Sequence, residues 1–270
     1  MSLSGRNEQT PDEETSGSEI VIEIGDPETG LVSPKEMGEI EHRLRSLGAD
    51  PGVRVIVLRG RSSTFCAGMV DGPWPERYAG RDLAIEGHPR PPVPQQELVK
   101  TLFTIEKPTV AVLHGDVRGY GLDLASACDL RVADRSATIG DGRLRTGGGD
   151  WCDTGITYLL PRLVGLSRAQ QIVLLGDTLD ASAAHDIGLV YALADASDLS
   201  AAVEALSSRL ASMATRSYGL IKQQIVGQLA LSYDMALMHS LAVRQTNVIE
   251  DRHEADEAFR AGRVEQYTGR

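Results

Sequence analysis

Short apolar runs alternate with helix signals along the first half of the chain. Four runs have the length and composition of buried strands, at residues 20–24, 53–58, 110–113 and 130–133. After the first of them, Ser33 reads as an N-cap and Pro34 as a first helical position, which predicts a helix that continues to about residue 47. Strands that alternate with helices predict βαβ units and a mainly parallel sheet, so the expected fold class is α/β.

The second half of the chain is mostly helical in its pattern. Helices are predicted at residues 167–175, 181–187 and 198–213, followed by two or more between residues 218 and 263. We therefore expect three parts, namely a tail, an α/β core and a C-terminal helical region, at residues 1–18, 19–205 and 206–270. The tail is rich in Ser, Glu, Thr and Asp, a composition typical of a disordered segment.

A long stretch rich in proline, glycine and charge interrupts the core at residues 71–96. Such a stretch inside a compact domain is usually a mobile lid, a binding loop or a disordered insertion. A lid is the interpretation we prefer.

Composition excludes several classes of function. The formal net charge of the 270 residues is −11, so no general attraction to nucleic acid or to an anionic membrane is expected. Three separated cysteines form no Cys-x-x-Cys pair, which argues against a disulfide framework and favours a cytoplasmic protein. The N-terminus lacks an apolar signal core, and no run reaches the roughly 18 apolar residues that span a bilayer.

The most informative segment is an apolar run that ends in a glycine-rich turn, residues 107–129. The turn contains Gly115, Gly119 and Gly121 and opens into a segment compatible with a helix. The unpaired N–H groups and the dipole of a helix N-terminus can stabilise an oxyanion there, and Asp123 places a carboxylate beside it. The alternative interpretation is a tight turn with a dipole-compensating aspartate.

Several ordered segments together resemble the crotonase superfamily, also called the enoyl-coenzyme A hydratase/isomerase family. They are a Phe-x-Ala-Gly turn, the strand before the glycine-rich turn, a Leu-Pro-Arg segment and two later motifs, at residues 64–69, 105–115, 158–165, 176–177 and 188–190. The resemblance covers residues 20–263 and implies a crotonase-like spiral of βαβ units with a C-terminal helical region. It also implies that residues 206–270 take part in oligomerisation, as a homotrimer or a dimer of trimers.

The resemblance further implies an oxyanion hole made of two backbone N–H groups, one from each glycine-containing turn. By position these donors are Met69 and Tyr120. Tyr120 stands where the family usually has glycine. Its backbone N–H does not depend on the side chain, but the ring would either narrow the pocket or contribute a hydroxyl group. The alternative is that both residues simply fill the core.

The carboxylates depart from the family's hydratase pattern. Asp123 matches one of two catalytic glutamates but is one methylene shorter, and Arg143 falls where the second glutamate is expected. A guanidinium cannot act as a general base near neutral pH, which argues against two-carboxylate hydration. Asp153 matches an acid position of isomerase-like and dehalogenase-like members. Asp150, in a slightly longer intervening loop, would replace or assist it. Helix N-capping is the alternative role for Asp153.

The leading hypothesis is an enzyme that stabilises a thioester enolate and moves a proton, with isomerisation favoured over hydration. The alternatives are a hydratase with an altered acid/base pair, other reactions of the family such as dehalogenation, or a catalytically degenerate thioester-binding subunit. The expected partner is an acyl-CoA or acyl-carrier thioester. Coenzyme A would enter as part of the substrate, with no permanently bound cofactor and no metal, and its candidate contacts are Cys66, Ala67, Gly68, Lys35, Arg61 and Lys222.

Overall fold

A six-stranded sheet lies at the centre of the protein in a computed structural model that describes residues 15–16 (backbone only), 18–70, 93–145 and 152–270. Its strands are β1 (Thr15–Ser16), β2 (Glu19–Ile24), β4 (Val55–Gly60), β6 (Thr109–Leu113), β8 (Leu130–Asp134) and β11 (Ala192–Ala194), in that spatial order. All neighbours are parallel except β1, which pairs antiparallel with β2. The four predicted strands, the parallel sheet and the α/β class are therefore confirmed.

The central strands are apolar throughout because both faces of the sheet are covered. In β4, Ile56 and Leu58 face the larger core, while Val55 and Val57 face a second core. Helix α7 (Leu199–Ala211) covers the second core with residues such as Leu206. Strands buried on both faces lose the alternation of apolar and polar residues, which is why they read as continuous runs in the sequence.

Short strands form a second layer. A three-stranded sheet contains β7 (Asp116–Arg118), β9 (Thr138–Gly140) and β10 (Thr178–Asp180), and a two-stranded sheet contains β3 (Leu31–Val32) and β5 (Gly68–Met69). The chain passes repeatedly from a strand of the main sheet to a short strand and then to a helix, as in β6, β7 and the helix that follows. These repeats produce a spiral of stacked turns.

Helices cover the sheet and form the C-terminal part of the chain. They are α1 (Pro34–Ala49), α2 (Pro94–Thr104), α3 (Tyr120–Ala127), α4 (Ile156–Val164), α5 (Leu166–Leu174), α6 (Ala181–Asp186), α8 (Thr215–Gln228), α9 (Tyr233–Thr246) and α10 (Asp251–Ala261), besides α7. Helix α1 begins as predicted, with the Oγ of Ser33 accepting a hydrogen bond from the N–H of Glu36 at 3.2 Å. The helical C-terminal region is confirmed.

The proline-rich stretch ends earlier than its composition predicts. The proline-rich stretch was expected to extend to residue 96, but α2 already begins at Pro94, whose fixed backbone suits the first helical position. The rest of the predicted lid, residues 71–92, lies outside the described residues, as do Trp151 and almost all of the predicted tail. Within the described ranges, no helix combines the length and hydropathy needed to cross a membrane.

Candidate active site

The two glycine-containing turns run side by side. The N–H of Phe65 donates to the carbonyl of His114 at 2.8 Å, and the N–H of Arg118 donates to the carbonyl of Cys66 at 3.0 Å. Cys66 also forms an isolated parallel bridge with Val117. The family resemblance implied that each turn supplies one donor to a single site, and the structure brings the two turns together through their backbones.

Close backbone approach explains the glycine at position 121. A Cβ atom at Gly121 would lie 2.3 Å from the carbonyl oxygen of Cys66 and 2.8 Å from its Cβ. Both distances are far inside van der Waals contact, so no side chain fits between the start of α3 and the first turn. Gly115 is similarly close to the carbonyl oxygen of Ser63, at 2.3 Å, and has a positive φ of 55°.

Met69 and Tyr120 occupy comparable places in these turns. Met69 pairs with Val32 across the parallel β3–β5 ladder, in which the N–H of Val70 donates to the carbonyl of Val32 at 3.1 Å. In a parallel ladder with this hydrogen bond, the N–H of Met69, which lies directly opposite Val32, points away from β3. Tyr120 is the first residue of α3, where backbone N–H groups point out of the helix end. Donors in this position can stabilise negative charge that develops on an oxygen.

The aromatic ring of Tyr120 is part of the core. The residue is 3% exposed and belongs to the larger core cluster. Its hydroxyl donates to the carbonyl of Gln95 in the first turn of α2, at 3.1 Å. The ring therefore links the starts of α2 and α3, and its hydroxyl already has a partner.

Asp123 forms a buried ion pair with Arg143. Nη2 of the arginine lies 2.7 Å from Oδ1 and Nη1 lies 3.0 Å from Oδ2 of the carboxylate. The same guanidinium binds Asp141, with Nη2–Oδ2 at 2.7 Å and Nε–Oδ1 at 3.1 Å. It also donates to the carbonyl of Gly119, the residue that precedes α3, at 3.3 Å. The side chains of Asp123 and Asp141 are 0% and 1% exposed, and that of Arg143 is 12% exposed.

Burial and ion pairing act in opposite directions on the pKa values of Asp123 and Arg143. Burial raises the pKa of the Asp123 carboxyl above its ordinary value, while the hydrogen bonds and charge of Arg143 act in the opposite direction. For Arg143, burial acts to lower the pKa of the guanidinium, but the hydrogen bonds and charges of Asp141 and Asp123 outweigh it and raise that pKa. The arginine therefore stays protonated, and its hydrogen bonds to Asp123 oppose the effect of burial on that carboxyl.

Asp153 lies in the segment that packs against the starts of α2 and α3. Its carbonyl accepts a hydrogen bond from Nε2 of Gln96 at 2.9 Å. The next residue, Thr154, donates its hydroxyl to Oδ2 of Asp123. The side chain of Asp153 is partly exposed, unlike that of Asp123. Asp150 lies outside the described residues.

The residues predicted to contact coenzyme A in the first turn have backbone groups with partners inside the protein. The N–H of Cys66 donates to Asp116 at 3.4 Å, and the N–H of Ala67 donates to Gly30 at 3.0 Å. The carbonyl of Gly68 accepts from the thiol of Cys66 at 3.3 Å. Burial raises the pKa of that thiol to about 12, which removes it as a nucleophile near neutral pH.

The three basic residues predicted near the phosphates lie in different environments. Lys35 is 77% exposed and pairs with Glu39 at 3.7 Å. Arg61 binds the carboxylate of Glu36 at 3.3 Å. Lys222 is only 6% exposed, and its ammonium lies 2.9 Å from Oδ1 of Asp129. The structure thus pairs Lys222 with a partly buried carboxylate, and its contact with a phosphate stays a prediction.

Three residues of the site were not predicted from the sequence. Gln96 and Thr154 reach it from α2 and from the segment before α4, and nothing in their local sequence marks them. Asp141 has a weak signal because it lies two residues before Arg143, a spacing that allows a local carboxylate–guanidinium contact. Among the described residues, no group of three or more His, Cys, Asp or Glu side chains is arranged to bind a metal ion.

Known proteins resemble this chain along almost its entire length. Residues 14–267 match the family model described as enoyl-CoA hydratase/isomerase. The 1,2-epoxyphenylacetyl-CoA isomerase of Escherichia coli is 31% identical over 84% of this chain and 86% of its own length. The (E)-benzylidenesuccinyl-CoA hydratase of Thauera aromatica is 30% identical over 87% and 86%.

A solved structure has the same fold. The crystal structure of an enoyl-CoA hydratase from Bacillus anthracis superposes with a TM-score of 0.81, covers 96% of this chain and 99% of its own, and is 22% identical. This similarity confirms the predicted crotonase-like spiral. The chain therefore belongs to the enoyl-CoA hydratase/isomerase family and is an enzyme of that type.

Proposed function

We propose that the protein isomerises the carbon–carbon double bond of an enoyl-CoA thioester by proton transfer through an enolate. The observation that carries this proposal is the direct backbone contact between the two turns, in which Gly121 lies against Cys66. This contact supports an oxyanion hole in which the N–H groups of Met69 and Tyr120 hold the thioester oxygen. Losing one donor of such a hole elsewhere costs about 3 kcal/mol of transition-state stabilisation.

Asp153 is the acid/base group that we favour. Of Asp123 and Asp153, only the latter has a side chain open to solvent, and a general base must come within hydrogen-bond distance of the proton that it removes. In the proposed reaction, the carboxylate removes a proton from the α-carbon of a 3-enoyl thioester. The electron pair moves onto the thioester oxygen as a dienolate, the proton on the carboxyl exchanges with solvent, and the carboxyl then delivers a solvent-derived proton to the γ-carbon.

Hydration is less well supported by the arrangement of charges. Adding water requires one carboxylate to activate the water and a second acid to protonate the carbon. The carboxylates of Asp123 and Asp141 are both bound to Arg143. Neither can orient a water molecule without giving up a buried ion pair.

A thioester-binding subunit without catalytic activity is the second candidate. It is favoured by the same ion pair, because Asp123 occupies the place of a catalytic carboxylate and is held by Arg143. Such a subunit would bind acyl thioesters through the backbone donors and release them unchanged.

Isotope incorporation distinguishes these functions. Trans-3-hexenoyl-CoA and trans-2-hexenoyl-CoA are incubated with the enzyme in D₂O containing H₂¹⁸O, and the acyl products are analysed by mass spectrometry. Isomerisation introduces deuterium without ¹⁸O, whereas hydration adds ¹⁸O. No change of mass together with retained thioester binding would favour the binding subunit and reject the proposal.

Variants assign the acid/base group within the same experiment. Asp153→Asn should abolish deuterium incorporation, while Asp195→Asn, at a surface carboxylate that is 69% exposed, serves as a control with unchanged activity. Full activity of Asp153→Asn would reject the proposed role of Asp153 but would leave the isomerase assignment intact.

A homotrimer or a dimer of trimers is the proposed assembly, with residues 206–270 at the interface. No side chain of α9 is buried in the protomer, although Met235, Met238 and Leu241 are apolar and lie on it. Helix α8 adds the exposed Ile221 and Ile225, which line a cavity of about 400 Å³ beside α4. Apolar surface of this extent commonly marks an interface between proteins.

A cytoplasmic location is proposed because Cys66 and Cys128 are buried thiols that form no disulfide.

A further inference from the structure

Two hydrogen bonds hold the segment that carries Asp153, one on each side. Gln96 binds the carbonyl of Asp153 at 2.9 Å and so connects it to the first turn of α2. The hydroxyl of Thr154 binds Asp123 and so connects it to the first turn of α3. Each of these contacts links residues at least 31 positions apart in the chain.

Asp123 is unable to contact a substrate in this arrangement. Its side chain is 0% exposed. One oxygen accepts from Nη2 of Arg143, and the other accepts from both Nη1 of Arg143 and the hydroxyl of Thr154. A carboxylate with these donors is a strong acceptor, because charged hydrogen bonds are shorter and stronger than neutral ones.

We infer that Asp123 is a positioning residue, which acts through the hydroxyl of Thr154 to hold Asp153 at the oxyanion hole. This inference rests on the proposed function of Asp153 as the acid/base group. Arg143 has a complementary role, since its guanidinium fixes the carboxyl of Asp123 at the start of α3 and also binds the carbonyl of Gly119.

The inference explains how a carboxylate and an arginine can coexist at the start of a helix. A guanidinium near a helix N-terminus is electrostatically unfavourable, but two carboxylates flank this one. The cluster occupies the first turn of α3 with fixed ionic contacts and leaves proton transfer to the neighbouring segment.

A double-mutant cycle tests whether Asp123 acts through Thr154. Thr154→Val removes the hydroxyl while keeping the shape of the side chain, and Asp123→Asn removes one acceptor oxygen. Displacing the acid/base group should lower kcat about 10- to 100-fold in each single variant, since misplacement by 1 Å can cost about 100-fold. The double variant should be no worse than the more severe single variant, because both changes break one connection.

Other outcomes would overturn the inference. If Asp123 transfers the proton itself, Asp123→Asn abolishes turnover whatever residue stands at position 154, whereas Thr154→Val alone has little effect on kcat. Thr154→Ser retains the hydroxyl and should restore most of the activity that Thr154→Val loses. Thr138→Val is a matched control, because Thr138 also donates a hydroxyl to a partly buried carboxylate, that of Asp116, away from Asp153.

A measurement without turnover separates this inference from the proposed function. Hydrogen–deuterium exchange of a peptide covering residues 152–160 should be faster in both Asp123→Asn and Thr154→Val than in the wild type. Unchanged exchange in both variants would reject the positioning role, even if the wild type proves inactive on every enoyl thioester. Faster exchange in an inactive wild-type background would leave the positioning role intact and reject only the isomerase assignment.

Discussion

Arg143 donates hydrogen bonds to Asp123 from both terminal nitrogens of its guanidinium, at 2.7 and 3.0 Å. The two residues are twenty positions apart in the chain. The pair lies at the first turn of α3, and its members were expected to stand in the places of two catalytic acids. One carboxylate of that expected pair is thus neutralised by the residue that replaces the other.

Removing the guanidinium should destabilise the fold. Arg143→Gln leaves Asp123 and Asp141 buried without a counter-charge, and breaking a buried pair in this way costs about 3–5 kcal/mol. The measurement is the free energy of unfolding in urea. Arg135→Gln is the control, because its pair with Asp195 is largely exposed and should contribute less than about 1 kcal/mol. Equal, small effects in both variants would contradict the buried pairing.

Separating the two turns should reduce activity more strongly than it reduces the stability of the fold. Gly121→Ala places a methyl group 2.3 Å from the carbonyl oxygen of Cys66, so the start of α3 must move. Such overpacking costs about 1–3 kcal/mol of stability, and displaced donors should lower kcat/KM about 100-fold. Steady-state kinetics and thermal unfolding measure both effects.

A matched glycine on α8 provides the control for that variant. A Cβ atom at Gly227 would meet only His239, at an ordinary 3.7 Å. Gly227→Ala should therefore raise helix stability by up to about 1 kcal/mol without affecting catalysis. If Gly121→Ala behaved like this control, the close approach of the turns would be wrong.

Replacing Lys222 should affect stability and leave coenzyme A binding unchanged. Its ammonium binds Asp129, which loses this counter-charge and keeps the N–H of Thr109 and the side chain of Tyr218 as partners once the lysine is removed. Lys222→Met should cost about 3 kcal/mol in urea unfolding, whereas Lys35→Met should change stability by less than about 0.5 kcal/mol. Inhibition constants for free coenzyme A, measured below the unfolding transition, would identify a phosphate contact if either variant raises them several-fold.

Only one of the three cysteines should react in the folded protein. Burial raises the pKa of both Cys66 and Cys128 to about 12, so only about one thiol in ten thousand is ionised at pH 8. Because the thiolate is the reactive form, a raised pKa means slower alkylation. Cys152 is partly exposed and should take up iodoacetamide first. Intact mass should increase by one adduct in the native state and by three in guanidinium; three rapid native adducts would contradict the burial.

Introducing charge on α9 should dissociate the proposed assembly. Leu241 is 55% exposed in the protomer, and Leu241→Glu would place a carboxylate in an apolar interface. Sedimentation equilibrium should give three or six times the 29.0 kDa chain mass for the wild type and a smaller mass for the variant. Ser200→Glu, at an exposed position of α7 outside residues 206–270, should leave the mass unchanged. A monomeric wild type would reject the trimer.

Much of the fold could be predicted because the central strands are buried on both faces. Strands β4 and β6 are continuous apolar runs, and the N-cap of α1 has a clear sequence signature. The second-layer strands have only two or three residues, too few to produce a periodic pattern. Helix α2 was missed because its first turn follows a proline-rich stretch and starts with a proline itself.

The site residues could be predicted, but their contacts could not. Asp123 and Arg143 were each identified from the sequence, and their pairing depends on β9 lying beside β7. The register of these strands places Gly140 opposite Arg118. The residues that follow β9 therefore lie beside the start of α3. For Lys222, the contact with Asp129 joins residues 93 positions apart, and no local pattern reports such a distance.

The contact between Gly121 and Cys66 involves a backbone carbonyl on one side and the absence of a side chain on the other. The two turns are therefore joined through backbone groups, whichever side chains surround them. Residue 153, whose side chain is not part of this contact, can be exchanged while the frame stays constant. The frame is thus a template for enzyme design, in which new proton-transfer chemistry can be installed by changing side chains alone.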